Sequence, residues 1–151
     1  MDRKILVGLV SSAALVLTAC SSTCGVDSGI IPGSPEDFAA NVPTKVYFDF
    51  DKAKLSDAAK KRVSAQACWL KTYTNTTATV TGHTDVRGTG EYNMALGSAR
   101  ASATVAELVA NGVQKERLTT VSYGKERVED PGTTEEAHAK NRRTETIIGT
   151  N

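Results

Sequence analysis

The densest run of chemistry-bearing residues is Gly82-His83-Thr84-Asp85-Val86-Arg87-Gly88-Thr89-Gly90-Glu91-Tyr92-Asn93. Fifteen residues after Asp85 stands Arg100, and Asn93, Leu96 and Arg100 follow each other at steps of three and four, which puts them on one face of a helix. A carboxylate and a guanidinium facing one pocket suit a ligand with an ammonium and a carboxylate on the same carbon. The guanidinium forks onto the ligand carboxylate and the aspartate takes the ammonium. The same two side chains can also close on each other as an internal Asp85–Arg100 ion pair, which requires no ligand. Spacing alone leaves both readings open.

Other chemistries fit less well. His83, Asp85 and a distant His138 supply too few ligands for a closed metal site, and Cys24 and Cys68 have no metal-ligand spacing. No metal and no cofactor are expected. Ser98 and Ser102 lie one helical turn apart with no histidine partner, so no activated nucleophile is evident and no catalytic residue is expected. With 18 basic and 17 acidic side chains in 151 residues, the chain lacks the basic surplus that a nucleic-acid partner needs. Its 12 glycines and four prolines are ordinary totals, which excludes collagen-like and wholly disordered chains.

These residues must be positioned by strands and helices that the pattern makes legible. Lys45 to Phe50 alternates, with Val46, Phe48 and Phe50 on one face, and reads as a half-buried strand. Ser56 is a helix cap, and behind it Ala59, Val63, Ala67 and Leu70 form one apolar stripe. Thr77 to His83 alternates again as a second strand. Tyr92 to Asn111 carries Leu96, Ala99, Ala103, Ala106 and Ala110 at steps of three and four, and Gly112 stops it as a helix. Leu118–Tyr123 and Thr144–Ile148 are further strands, with a short helical turn at Glu135–Lys140 between them. The order is βαβαβ(α)β, an α/β (α+β) sandwich in which helices pack on a sheet.

The N-terminus reads as an address. Arg3 and Lys4 precede thirteen uncharged residues, Ile5–Leu17. That is too short to span a bilayer, which takes about 20 residues, but it suits the apolar region of a signal peptide. The string Leu17-Thr18-Ala19-Cys20 resembles the lipobox of bacterial lipoproteins, so residues 1–19 are expected to be cleaved and Cys20 to be acylated. Several acyl chains on one residue make a stable anchor. In the enterobacterial sorting pattern, Ser21 after the lipidated cysteine directs the protein to the outer membrane. The mature chain would carry 16 basic and 16 acidic side chains. Cys24 and Cys68 then remain, and an oxidising compartment allows them to pair. Residues 20–43 hold Pro32, Pro35, Pro43 and three glycines without helical or strand period and read as a tether, although Ile30, Ile31 and Phe38 suggest that part of it rests on the domain.

Six motifs in order carry a resemblance: Val46-Tyr47-Phe48-Asp49-Phe50-Asp51, Gly82-His83-Thr84-Asp85, Gly88-Thr89-Gly90-Glu91-Tyr92-Asn93, Leu96-Gly97-x-x-Arg100-Ala101, Val121-Ser122-Tyr123-Gly124-Lys125-Glu126 and Ala139-Lys140-Asn141-Arg142-Arg143. Together they make residues 44–149 similar to the OmpA-like peptidoglycan-binding domain family, and most similar to its lipoprotein branch. The resemblance implies a mixed four-stranded sheet with helices on one side. It also implies noncovalent capture of diaminopimelate in the peptidoglycan stem peptide, with Asp85 and Arg100 gripping the free amino-acid end. Phe48 and Asp49 would sit at the pocket edge, Thr84 beside Asp85, Asn93 and Leu96 on the helix wall, and Arg143 near the ligand carboxylates. On the residues alone, Phe48 reads equally well as core, Arg142 and Arg143 as a solvated basic end, and Asn93 as a helix cap. The implied partners are peptidoglycan, outer-membrane lipid through Cys20, and TolB with the Tol system, with a role in envelope integrity and cell division. The domain would face the periplasm.

Overall fold

A computed structural model describes residues 30–150. The leader, Cys20 and Cys24 lie outside the described residues, and with them the expected cleavage, acylation and Cys24–Cys68 pairing. Cys68 itself is half-buried on a helix.

The folded part begins earlier than the sequence suggests. Ser34 caps a short helix α1 (Pro35–Asn41), its hydroxyl accepting from the Asp37 backbone N–H, with Pro35 in the first turn where its missing donor costs nothing. Phe38 packs edge-on against Trp69 at 5.0 Å between ring centres. The buried Asp37 carboxylate accepts from Gly33 N at 3.0 Å, Trp69 Nε1 at 2.9 Å and Asn41 Nδ2 at 2.7 Å. The tether expected through Pro43 is therefore corrected over its last ten residues, 34–43, which belong to the domain. A seven-residue helix is too short for a 3.6-residue period to show, and its local cap is supplemented by the contacts with Trp69.

The rest follows as β1 (Lys45–Tyr47), α2 (Asp57–Thr72), β2 (Thr76–His83), α3 (Gly90–Ala110), a 3-10 turn at Lys115–Arg117, β3 (Leu118–Gly124), α4 (Glu135–Asn141) and β4 (Arg143–Thr150). The sheet runs β1-β4-β2-β3. Only β2 and β3 are parallel, and β4 is antiparallel to both of its neighbours, so the sheet is mixed as expected. Ala78 and Val80 of β2 and Ile148 of β4 are buried in the core with Val63, Ala67 and Leu70 of α2. On β4 the Thr146 hydroxyl donates to Gln66 of α2 and the Thr144 hydroxyl meets that of Thr104 on α3. Both long helices thus cover the same face of the sheet, because alternate residues of a strand share a face.

Two local expectations change. The first strand leaves the sheet after Tyr47 instead of running to Phe50. Phe48 N donates to Arg142 O at 2.9 Å, and the chain then turns through Asp51, which has a positive φ of 56°. Phe48 is buried but Phe50 is 56% exposed, so the alternation stops halfway. On α3 the buried stripe is Asn93, Gly97, Arg100, Ala101, Thr104, Val105 and Leu108, whereas Ala99, Ala106 and Ala110 are exposed. The helix is rotated from the all-apolar stripe because Gly97 lies against Gly82 of β2. A side chain at Gly82 would fall inside the Gly97 carbonyl, so this contact sets which face meets the sheet.

Candidate functional site

The site lies where β2 ends and α3 begins, with the segment after β1 opposite. Thr84 N donates to Gly124 O at 2.9 Å, which holds the exit of β2 beside β3. Gly88, at φ 89°, turns the chain into Thr89, whose hydroxyl caps α3. Asn93 sends its amide to Arg87 O at 2.7 Å and Thr89 O at 2.9 Å, and Lys125 Nζ reaches Gly88 O at 2.8 Å. The loop 84–89 is thereby held by donors from α3 and from beyond β3. Asn93 acts as a clamp on this loop; the cap of α3 is Thr89.

Arg100 holds the opposite wall. Its guanidinium donates to Lys52 O at 2.8 Å, His83 O at 2.9 Å and Asp49 O at 3.2 Å, which ties the end of β2 to the segment after β1. It also lies 5.4 Å from the centre of the Phe48 ring. Three carbonyls satisfy an arginine that is 1% exposed. Burial lowers its pKa to about 10, with Asp85 opposing that shift, so it is charged at neutral pH.

Between these walls is a cavity of about 210 Å³, room for a group of amino-acid size. Of the residues expected at a site, Asp85, Arg100, Thr84, Asn93 and Leu96 line it. Phe50, Asp51, Arg87, Gly88 and Tyr92 complete its lining. The Tyr92 hydroxyl donates to Asp51, bridging α3 to the segment after β1.

Three expected residues stand elsewhere. Phe48 is a core residue and Asp49 reaches the site only through its carbonyl. Arg143 is 6% exposed on β4, 3.2 Å from Glu129 and 3.9 Å from Glu145, and does not line the cavity. Nor is the Arg142-Arg143 pair a solvated end, since both side chains are buried.

The internal Asp85–Arg100 ion pair does not form; Asp85 has a different partner. Arg87 takes both of its oxygens, Nη2 to Oδ2 at 2.7 Å and Nε to Oδ1 at 3.2 Å, and the Arg87 backbone N–H adds a bond to Oδ1 at 3.1 Å. Burial raises the pKa of this carboxyl, but the hydrogen bonds from Arg87 outweigh it and the net direction is downward. Arg142 Nη1 is 3.7 Å from the same Oδ2. Arg87 itself lies over the Phe50 ring at 4.2 Å, with a side chain 40% exposed. Sequence reasoning passed over Arg87 although it stands inside the polar cluster, two residues from Asp85. It passed over Arg142 because two adjacent arginines at a helix end look like a surface feature.

His83 faces away from this chemistry. Its Nε2 is 3.0 Å from the Thr81 hydroxyl and its ring lies 5.5 Å from that of Tyr123. Burial, helped by Arg143, lowers its pKa to about 4, so it is neutral at pH 7.

Residues 47–142 match the OmpA family. The chain is 37% identical to the peptidoglycan-associated lipoprotein of Rhizobium meliloti, across 97% of this chain and 88% of that protein. It is 43% identical to the peptidoglycan-associated lipoprotein of Pseudomonas aeruginosa, across 80% and 72% respectively. The crystal structure of the peptidoglycan-associated lipoprotein from Burkholderia pseudomallei superposes with a TM-score of 0.69 at 36% identity, across 71% of this chain and 91% of that one.

Proposed function

The chain belongs to the OmpA family, and from that premise we propose that it is a peptidoglycan-associated lipoprotein whose cavity between β2 and α3 takes the diaminopimelate end of an uncrosslinked stem peptide. The observation that carries this reading is that Asp85 and Arg100 line one cavity of amino-acid size without pairing to each other. A fixed guanidinium already oriented by three carbonyls presents its remaining N–H groups to a carboxylate. A carboxylate whose hydrogen-bonded side-chain partner is an exposed arginine can exchange that partner for an ammonium. Thr84, Asn93 and Leu96 shape the wall. The protein works by binding and not by turnover.

The rest of the reading concerns the anchor. Residues 1–19 are removed, Cys20 is acylated, and the segment ahead of Ser34 joins an outer-membrane lipid anchor to a domain facing the periplasm. Weak single contacts then suffice, since the anchor holds the domain at high effective concentration beside a polymer with many sites. The resemblance to peptidoglycan-associated lipoproteins also supports TolB and the Tol system as partners, in envelope integrity and division.

The test is co-sedimentation of the full chain, purified in detergent, with diaminopimelate-type sacculi, beside Asp85→Ala and Arg100→Ala. Wild type should pellet and folded Asp85→Ala should stay in solution. If both variants pellet like wild type, the cavity is not the wall site. Release of labelled stem fragments during the incubation would overturn the reading as a binding protein.

A further inference from the structure

If Asp85 is to accept a ligand ammonium, something must keep the carboxylate in place once Arg87 gives it up. Arg87 occupies both oxygens, so an incoming cation must displace its guanidinium. It has somewhere to go, since it already lies over Phe50 and its Nη2 is 3.8 Å from Glu135 Oε2. What then remains on Asp85 is one backbone bond, from Arg87 N to Oδ1.

Arg142 approaches the other oxygen, Oδ2, and is built differently. Its side chain is 8% exposed against 40% for Arg87. Its Nε donates to Phe48 O at 3.0 Å while its own carbonyl accepts from Phe48 N at 2.9 Å, and its N–H closes the end of α4 on His138 O. Three bonds to the backbone thus hold this residue between α4 and the exit of β1. Its Nη1 is buried without a hydrogen-bond partner, although it lies 2.8 Å from the Glu135 carboxylate as an ion pair, and it is 3.7 Å from Asp85 Oδ2. A movement of under 1 Å would turn that approach into a charge-assisted hydrogen bond.

We propose that Arg142 is the positioning residue for Asp85, holding Oδ2 so that the carboxylate keeps its orientation when a cationic ligand group replaces Arg87. This rests on the reading of the cavity as a site for an ammonium and a carboxylate. Arg142 touches no ligand; it acts through Asp85. Two arginines divide the work, an exposed one that is exchanged and a buried one that stays. The other titratable or charged groups near Asp85 are Arg100 from α3, His138 and Glu135 from α4, and Asp51 across the cavity.

The experiment follows the Asp85 side-chain carboxyl by carbon NMR through a pH titration of the full chain in detergent, with sacculus binding measured in parallel. The variants are Arg87→Ala, Arg142→Gln, Arg142→Lys and the combinations of each Arg142 variant with Arg87→Ala. With Arg87 removed, burial is left largely unopposed and Asp85 should titrate higher than in the wild type. It should move up when Arg142→Gln is added and down again with Arg142→Lys, which returns the charge. Folded Arg142→Gln should bind sacculi about tenfold more weakly, with Arg142→Lys recovering most of the loss. If Asp85 titrates identically in Arg87→Ala with and without Arg142→Gln, or if folded Arg142→Gln binds like wild type, Arg142 does not position the acid. If wild type fails to bind sacculi, the cavity reading falls, and the titrations still decide whether Arg142 holds Asp85.

Discussion

Asp85 and Arg100 are both charged and both line the cavity, yet their removal should have different costs. Arg100→Ala leaves three backbone carbonyls without a donor in a buried setting, which should lower stability by about 3 kcal/mol. Asp85→Ala removes a buried carboxylate, but its main partner Arg87 is exposed and Arg142 keeps Glu135, so it should cost less, about 1 kcal/mol. Urea unfolding of the two variants checks this, and equal losses would mean that Arg100 is no more of a structural post than Asp85. Titration provides a second test at the same scale. His83 has a folded pKa of about 4 against an ordinary 6.5, so the unfolded chain binds its proton first. The stability this contributes, on the order of 3 kcal/mol, is complete above about pH 6.5 and is lost as pH falls through about 4. Asp37 adds a later step. Its carboxyl is held below the ordinary value of 3.8 chiefly by the Gly33 backbone bond, with burial opposing and Trp69 and Asn41 assisting, so its contribution is lost only in stronger acid. Unfolding midpoints measured from pH 7 to 3 should fall in that order, and His83→Gln should flatten the upper part. A His83→Gln curve as steep as that of wild type would exclude His83 as its source.

Among the elements, the crossing of α3 over β2 decides the most. The backbones meet at Gly82 and Gly97 with no side chain between them, and that contact turns Arg100 toward the His83 carbonyl and the cavity. At Gly82 a Cβ would strike a backbone carbonyl, whereas at Gly97 it would strike first the Ser122 hydroxyl, a side chain that can move at the cost of its bond to Met94 O, with the Gly82 carbonyl next at 3.0 Å. Gly82→Ala should therefore destabilise by about 3 kcal/mol and Gly97→Ala by distinctly less. Thermal melts of the two variants measure the difference, and the reverse order would refute this account of the crossing. The period of α3 misled for the same reason. Small alanines look like a buried face, but the sheet takes the side with the glycine and with an arginine that carbonyls satisfy.

For the molecule as a whole, the prediction is that anchor and pocket separate cleanly. Cys20→Ser should release the protein from the membrane fraction and leave its pelleting with isolated sacculi unchanged, because the cavity is built entirely from residues 50–100. Fractionation of cells carrying the variant reads the first outcome and sedimentation the second. A variant that remained membrane-bound would remove Cys20 as the anchor. A variant that lost sacculus binding would tie the wall site to the N-terminal segment.

Local pattern determined much of this protein. The stripe of α2 with Ala59, Val63, Ala67 and Leu70 is buried as its spacing requires, the strand and helix order from Lys45 onward holds, and the polar corner at 82–93 was visible because loops rich in Gly, Asp and Arg at a strand exit stand out in composition. Spacing left Asp85 and Arg100 open between a shared pocket and an internal ion pair, and the family resemblance pointed to the pocket. Only tertiary structure decided who their partners are. An ion pair depends on distances set by several elements at once, so the transfer of Asp85 to Arg87 and Arg142, and of Arg100 to three carbonyls, could not be read from spacing within one helix. Phe38 was legible as a residue that could rest on the domain, but not Asp37, which Trp69, 32 residues away, holds in the core; nor were Arg142 and Arg143, whose burial depends on neighbours that sequence order does not reveal. Periodicity reports one element against an average environment; burial of a charged side chain is settled by the particular carbonyls and carboxylates that the fold brings to it.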